Sequence, residues 1–358
     1  ALTFTWALLG AVSAGAAEST PLRFTEDFST RLYCDRPLTT ADWDTVARRI
    51  GLPISDPSAV VAEWDSPGQP QGIAVDGRFA YLCDNANGLH VLDVGDPEAP
   101  VLLGSLSSLN YAYDADPEGV NVYLAEGSTG LRTVDVQNPA APAVVGVYNT
   151  PGIAYAVDVD GDMAYVADGS GGLGVVDVSL PRTPSLEGHL ATSAQARDVD
   201  VVGDYAYVAA YSAGLLVIDV SDPSAPELVG TCNTAGLAYG VTVVGRYAYV
   251  ADGANGLVVV DVANPALPRT AAVLDTPGTA WKTAVVGDRL YLADSVAGLV
   301  TIGITDPEAP GAITSTNGIE AYMIRRITPE TTASRCARNF HQITRHCGAK
   351  NTFSCAVV

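Results

Sequence analysis

Between residues 60 and 316 apolar and polar side chains alternate with a period of two, in runs of five or six residues broken by glycine, aspartate or proline. No stretch repeats its apolar positions every 3.6 residues, so the pattern predicts strands throughout. Residues 155–196 illustrate it. An alternating run at 155–159 meets the turn Asp160-Gly161-Asp162, and a second run covers 163–167. A glycine-rich turn at 168–172 leads to a third run at 173–178. A connection carrying Pro181 and Pro184 then leads to a weaker, more polar strand at 185–190. Glycine and Asp-Gly pairs suit tight hairpins, and the polar fourth run suits an exposed edge.

The same unit recurs at a fixed step. Gly-Leu pairs stand at 88, 130, 172, 214, 256 and 298, and tyrosines at 81, 123, 165, 207, 249 and 291, each 42 residues apart. A proline pair keeps the same interval, from Pro97 and Pro100 to Pro307 and Pro310. Four short antiparallel strands in about 42 residues make one propeller blade. The chain therefore reads as an all-β, six-bladed β-propeller over 60–316, its strands running from the central channel outwards. The run 60–64 falls in frame with the fourth strands and is expected to pair with the last unit and close the ring. Residues 312–316 compete for that place, and the alternative is seven blades with a degenerate last blade starting near Tyr322.

The third strands, Leu215–Val220 and Leu257–Val262, are followed by Pro223 and Pro265 and resemble those of the LVIVD repeat family. The resemblance covers about 70% of the chain. It implies a β-propeller of bacterial and archaeal secreted or surface proteins, with no common activity attached. Gly303 departs from the pattern where other units carry Asp93, Asp135, Asp177, Asp219 and Asp261.

Outside the repeat, residues 1–20 read as a signal peptide, with a short apolar run followed by small residues at 13–17. That places the protein outside the cytoplasm: extracellular, on the cell surface or periplasmic. Residues 21–59 read as an N-terminal cap segment, with a capped helix expected from Thr39. The tail, 317–358, is cysteine-containing and basic: over 322–358, six basic side chains from Arg325 to Lys350 face one acid, Glu330. With a net charge of −21 for 358 residues, the acidity lies in the body. Such a body repels phosphate backbones, which excludes nucleic acid as a partner. No segment is long and apolar enough for a transmembrane span.

Motifs for catalysis are scarce. The glycines at 169–174 satisfy G-x-G-x-x-G, but between two strands, so they form a hairpin and not a dinucleotide site. Residues 158–162 carry acids around Gly161 in the wrong order for a calcium loop. The tail His and Cys residues fit no usual zinc spacing.

Two columns gain interest because a propeller gathers them on one face. Entering the first strands stand Gln71, Tyr113, Tyr155, Arg197, Tyr239 and Trp281; between second and third strands stand Asp84, Glu126, Asp168, Asp252 and Asp294, with Ala210 breaking the set. Aromatic rings stack on sugars and cations, while aspartates before turn residues also hold backbone N–H groups. Asp114, Asp116, Asp158, Asp198 and Asp200 crowd the innermost strands and form a candidate metal set, for Ca2+ or another divalent cation in the channel. Three functional readings follow. The first is a non-enzymatic binding module for a protein, peptide or glycan. The second is a cation-dependent lyase or hydrolase, and the third a structural domain of a larger surface protein.

Overall fold

The computed structural model describes residues 60–315, apart from 97–98, 108 and 312, and two upstream strands, Asp42–Asp44 and Arg49–Pro53. The signal peptide, much of the cap segment and the tail expected from the sequence lie outside the described residues.

Six four-stranded antiparallel sheets form the blades of a six-bladed β-propeller, each in simple chain order. The innermost strands of blades 1 to 6 are Gly72–Asp76, Asp114–Glu118, Ala156–Asp160, Asp198–Val202, Gly240–Val244 and Ala280–Val286. The outermost are Val101–Leu106, Ala143–Tyr148, Ser185–Leu190, Glu227–Cys232, Arg269–Leu274 and Ile313–Ser315. Successive innermost strands lie against one another from blade 1 to blade 6.

Second and third strands are covered on both faces. In blade 4, Tyr205–Ala209 and Leu215–Asp219 are therefore apolar almost without interruption, as sheets buried on two sides require. The core lies between blades: Tyr165, Leu173 and Val175 of blade 3 pack with Ala206, Val208, Leu216 and Ile218 of blade 4. The periodic tyrosines belong to these layers, and burial pushes the Tyr81 and Tyr249 hydroxyls up to about 12.

The proline column has a packing role. In blades 1 to 5 the pairing of third and fourth strands slips by one residue. Beside the slip stand Gly104, Gly146, Gly188 and Gly230, and against them sit the backbone carbonyls of Pro139, Pro181, Pro223 and Pro265 of the following blade. A side chain at those glycines would overlap the carbonyl.

Two expectations at the N-terminal side are corrected. The capped helix expected from Thr39 is replaced by strands: Asp42–Asp44, Arg49–Pro53 and Val60–Asp65 form a separate antiparallel sheet. The run 60–64 pairs with Arg49–Pro53 and not with the last blade, whose fourth place is held by Ile313–Ser315. Its surroundings still resemble those of a fourth strand. Ser66 donates to Asp84 as Thr150 does to Asp168 and Thr234 to Asp252. Trp64 packs on Ile73, Leu82 and Leu92 of blade 1.

Candidate functional site

The innermost strand of each blade is an edge, and its N–H groups need acceptors. In blades 3 to 5 aspartates supply several of them. Val157 and Val159 donate to Asp114 and Asp116, Val201 to Asp158, and Val241 and Val243 to Asp198 and Asp200, each across one blade junction. Between blades 5 and 6, Thr242 takes over and donates to the Thr283 carbonyl. The five residues read as a metal set thus bridge strand to strand. Among the described residues no group of three or more His, Cys, Asp or Glu side chains is placed to hold a metal ion.

Asp198 also accepts from Lys282 Nζ at 2.6 Å, a bond that runs from blade 6 to blade 4. Burial raises the Asp198 pKa; Lys282 opposes the shift and Asp114 adds to it.

The acids between second and third strands lie behind the face and do not line it. Asp84, Glu126, Asp252 and Asp294 have no exposed surface and Asp168 only 1%. Each accepts from the connection entering its own blade: Asp168 from Gly152 N at 2.7 Å, Asp252 from Gly236 N at 2.9 Å, Asp294 from Gly278 N at 3.2 Å. Asp84 takes the Ser66 hydroxyl, and Glu126 takes the Asn110 N–H. Blades 1 and 2 add a further side-chain partner, the His90 imidazole on Asp84 and the Arg132 guanidinium on Glu126. Burial raises the Asp168 and Asp252 carboxyls, partly offset by the threonine hydroxyl each one holds.

The aromatic column, by contrast, comes together on the surface. Tyr111 and Tyr113 stack at 6.2 Å, Tyr113 meets Tyr155 at 5.3 Å, Tyr211 meets Tyr239 at 5.5 Å, and Tyr239 meets Trp281 at 4.3 Å. Arg197 joins the two groups, its guanidinium carbon 4.2 Å from the Tyr155 ring and 5.1 Å from the Tyr211 ring. The result is a continuous arc across blades 2 to 6, half-buried except for exposed Tyr111. Four of the arc's members, Tyr113, Tyr155, Tyr239 and Trp281, and the arginine within it, were the aromatic-column candidates; Tyr111 and Tyr211 are additions of the fold.

Tyr211 is the unusual member. In blades 1 to 5 the residue after this column, whether the column holds an acid or Ala210, bridges to the alanine that opens the next blade, as in Gly169–Ala196 and Tyr211–Ala238. This bridge needs a left-handed backbone: φ is +50° at Asn85, +49° at Gly127, +53° at Gly169, +61° at Gly253, and +44° at Tyr211. Glycine adopts such angles freely, whereas a bulky side chain there is a steric outlier. At Gly169 the ring edge of Tyr155 lies 3.1 Å from where a Cβ would stand. Blade 4 exchanges the pair: arginine replaces the strand-entry tyrosine, tyrosine replaces the glycine, and Ala210 replaces the buried acid.

Six consecutive stretches, 67–108, 108–150, 151–192, 193–234, 235–276 and 277–317, match the LVIVD repeat. The chain belongs to the LVIVD repeat family. No curated protein matches the sequence of this LVIVD repeat chain. Among solved structures it is similar to a functionally unknown protein from Desulfotomaculum acetoxidans, with TM-score 0.69, 12% identity, and 80% of this chain and 99% of the other covered. A putative 6-phosphogluconolactonase from Bacteroides fragilis gives TM-score 0.66 at 13% identity, covering 82% and 99%. AztD from Citrobacter koseri gives 0.57 at 11%, covering 80% and 96%. At these identities the likeness is one of fold, which hosts unrelated functions. Among the described residues no helix of this LVIVD repeat protein is long and apolar enough to cross a membrane.

Proposed function

We propose that this protein is an exported, non-enzymatic binding module that takes its partner on the propeller face carrying the aromatic arc. The observation that carries the reading is Tyr211. A left-handed backbone at a residue of this size costs about 1–3 kcal/mol and persists where the surroundings or a function require it. Here the bridge is made equally well by glycine in three sister blades, so the backbone does not require tyrosine. What tyrosine adds is a ring in the arc beside Arg197, at the same turn where Ala210 departs from the repeat. The apolar N-terminal run followed by small residues supports export, and the family resemblance agrees with it.

The test is Tyr211→Gly, followed by chemical denaturation. Strain relief offsets the lost ring contacts, so stability is expected to stay within about 1 kcal/mol of the parent. A loss of about 3 kcal/mol or more, ordinary for removing a large packed side chain, would make Tyr211 a packing residue. The binding reading would then lose its support, leaving a structural role for the domain.

A further inference from the structure

The arc has a chemistry of its own, which narrows the partner. We infer that it takes a largely neutral oligosaccharide carrying an isolated carboxylate, with the sugar rings laid along the tyrosines and Trp281 and the carboxylate on Arg197. This assignment rests on the arc being the binding face.

Three observations lead there. The first concerns cations. The seat between two aromatic faces, which a ligand ammonium would take, is already filled by the protein's own Arg197. A cationic partner meets a like charge at the centre of the arc.

The second concerns shape. Neighbouring rings are inclined to one another by 16° to 74°. They offer no common plane to a flat aromatic ligand. A chain of puckered rings, each with its own C–H face, can follow such a row one side chain at a time, with hydroxyls left for the polar edges.

The third concerns charge. Arg78, Arg132, Arg246 and Arg269 are ion-paired with carboxylates, while Arg182 and Arg289, which lie outside the arc, show no such pair among the described residues. Arg197 has no carboxylate partner among the described residues: it donates to Gln195 Oε1 at 2.7 Å and is otherwise held by ring faces, its Nε enclosed without an acceptor. The adjacent Asp198 is turned to Lys282 and Val241 instead. A partly buried guanidinium with no carboxylate beside it presents a planar fork suited to an incoming one. Only one such cation lies in the arc, and the net charge of −21 repels a densely charged polyanion. Hence the partner carries a single acid within a neutral chain.

The intact protein is titrated with glucuronoxylan, with xylan free of uronate, and with polygalacturonate, in affinity gels and by calorimetry. Glucuronoxylan is expected to bind, unsubstituted xylan about tenfold or more weaker, in line with one charge-assisted contact, and polygalacturonate weakest. Arg197→Gln and Arg197→Lys are expected to erase the difference between the two xylans while residual binding to both remains. Equal binding of the two xylans, or a preference that survives both Arg197 variants, overturns the assignment. So does silence towards all three probes when Tyr211→Gly is as stable as the parent; in that case the binding face stands and only its ligand class falls. If Tyr211→Gly proves strongly destabilised, the face itself falls.

Discussion

At the scale of single residues, the buried carboxylates set the pH response. Asp168 and Asp252 have pKa values raised above the ordinary 3.8, chiefly by desolvation. The folded form therefore binds their protons more readily than the unfolded chain. Their contribution grows as pH falls from the raised values towards 3.8 and is lost as pH rises through them. Asp93, Asp177 and Asp219 act in the opposite sense. Arg78 beside Asp93, and Ser179 and Ser221 beside the other two, hold these carboxyls below the usual range. Their contribution is full above the ordinary value and fades as pH falls through the lowered ones. The melting temperature is thus expected to rise on mild acidification from neutrality and to fall below the ordinary carboxylate value. The double variant Asp168→Asn with Asp252→Asn should flatten the rise and keep the fall; a rise unchanged in that variant would move its cause elsewhere.

At the scale of elements, each blade is locked to the next by its outer strand. Gly188 stands beside the slip in blade 3, with the Pro223 carbonyl of blade 4 against its Cα. Gly188→Ala puts a methyl group into that carbonyl and is expected to cost about 1–3 kcal/mol, as overpacking does. Gly161→Ala is the comparison. Nothing lies within 4 Å of a Cβ there, but φ is +63°, so the cost reflects backbone strain alone, about 1–2 kcal/mol. Urea denaturation of the two variants separates the effects: a larger loss at Gly161 than at Gly188 would remove the proline carbonyl as a packing constraint. The periodic prolines were plain in the sequence. Their use was not, because a proline 35 residues further along meets the glycine only once two blades lie side by side.

At the scale of the whole molecule, the inner ring is held by side chains. Asp200→Ala leaves the Val243 N–H without its carboxylate acceptor at 2.6 Å, a loss expected to cost about 1–3 kcal/mol. The amide of Val243 should exchange with solvent faster in this variant, while amides in the second and third strands of blade 5 stay protected. Uniform acceleration through blade 5 would show that the bond governs global and not local opening. The candidate metal set was legible as five carboxylates on three inner strands, but a charge column cannot reveal which hydrogen-bond donors face it. The same holds for Asp84, Glu126, Asp168, Asp252 and Asp294. Their place beside turn residues was visible, and burial decided that they serve the connections behind the face.

By itself the sequence determined the repeat, the strand pattern, the six blades and the aromatic column, because alternation and the 42-residue step are local properties written in side-chain order. It also held the sign of the arc's strained member, since Tyr211 stands at the same step as Gly127, Gly169 and Gly253. Tertiary structure decided what each column touches. It turned the aspartates of the inner strands towards neighbouring N–H groups, drew Arg197 between Tyr155 and Tyr211, and brought Lys282 across from blade 6 to Asp198 in blade 4. It paired residues 60–65 with an upstream strand instead of the last blade. These outcomes depend on distances between residues tens of positions apart, which close packing of the blades fixes and local pattern does not encode.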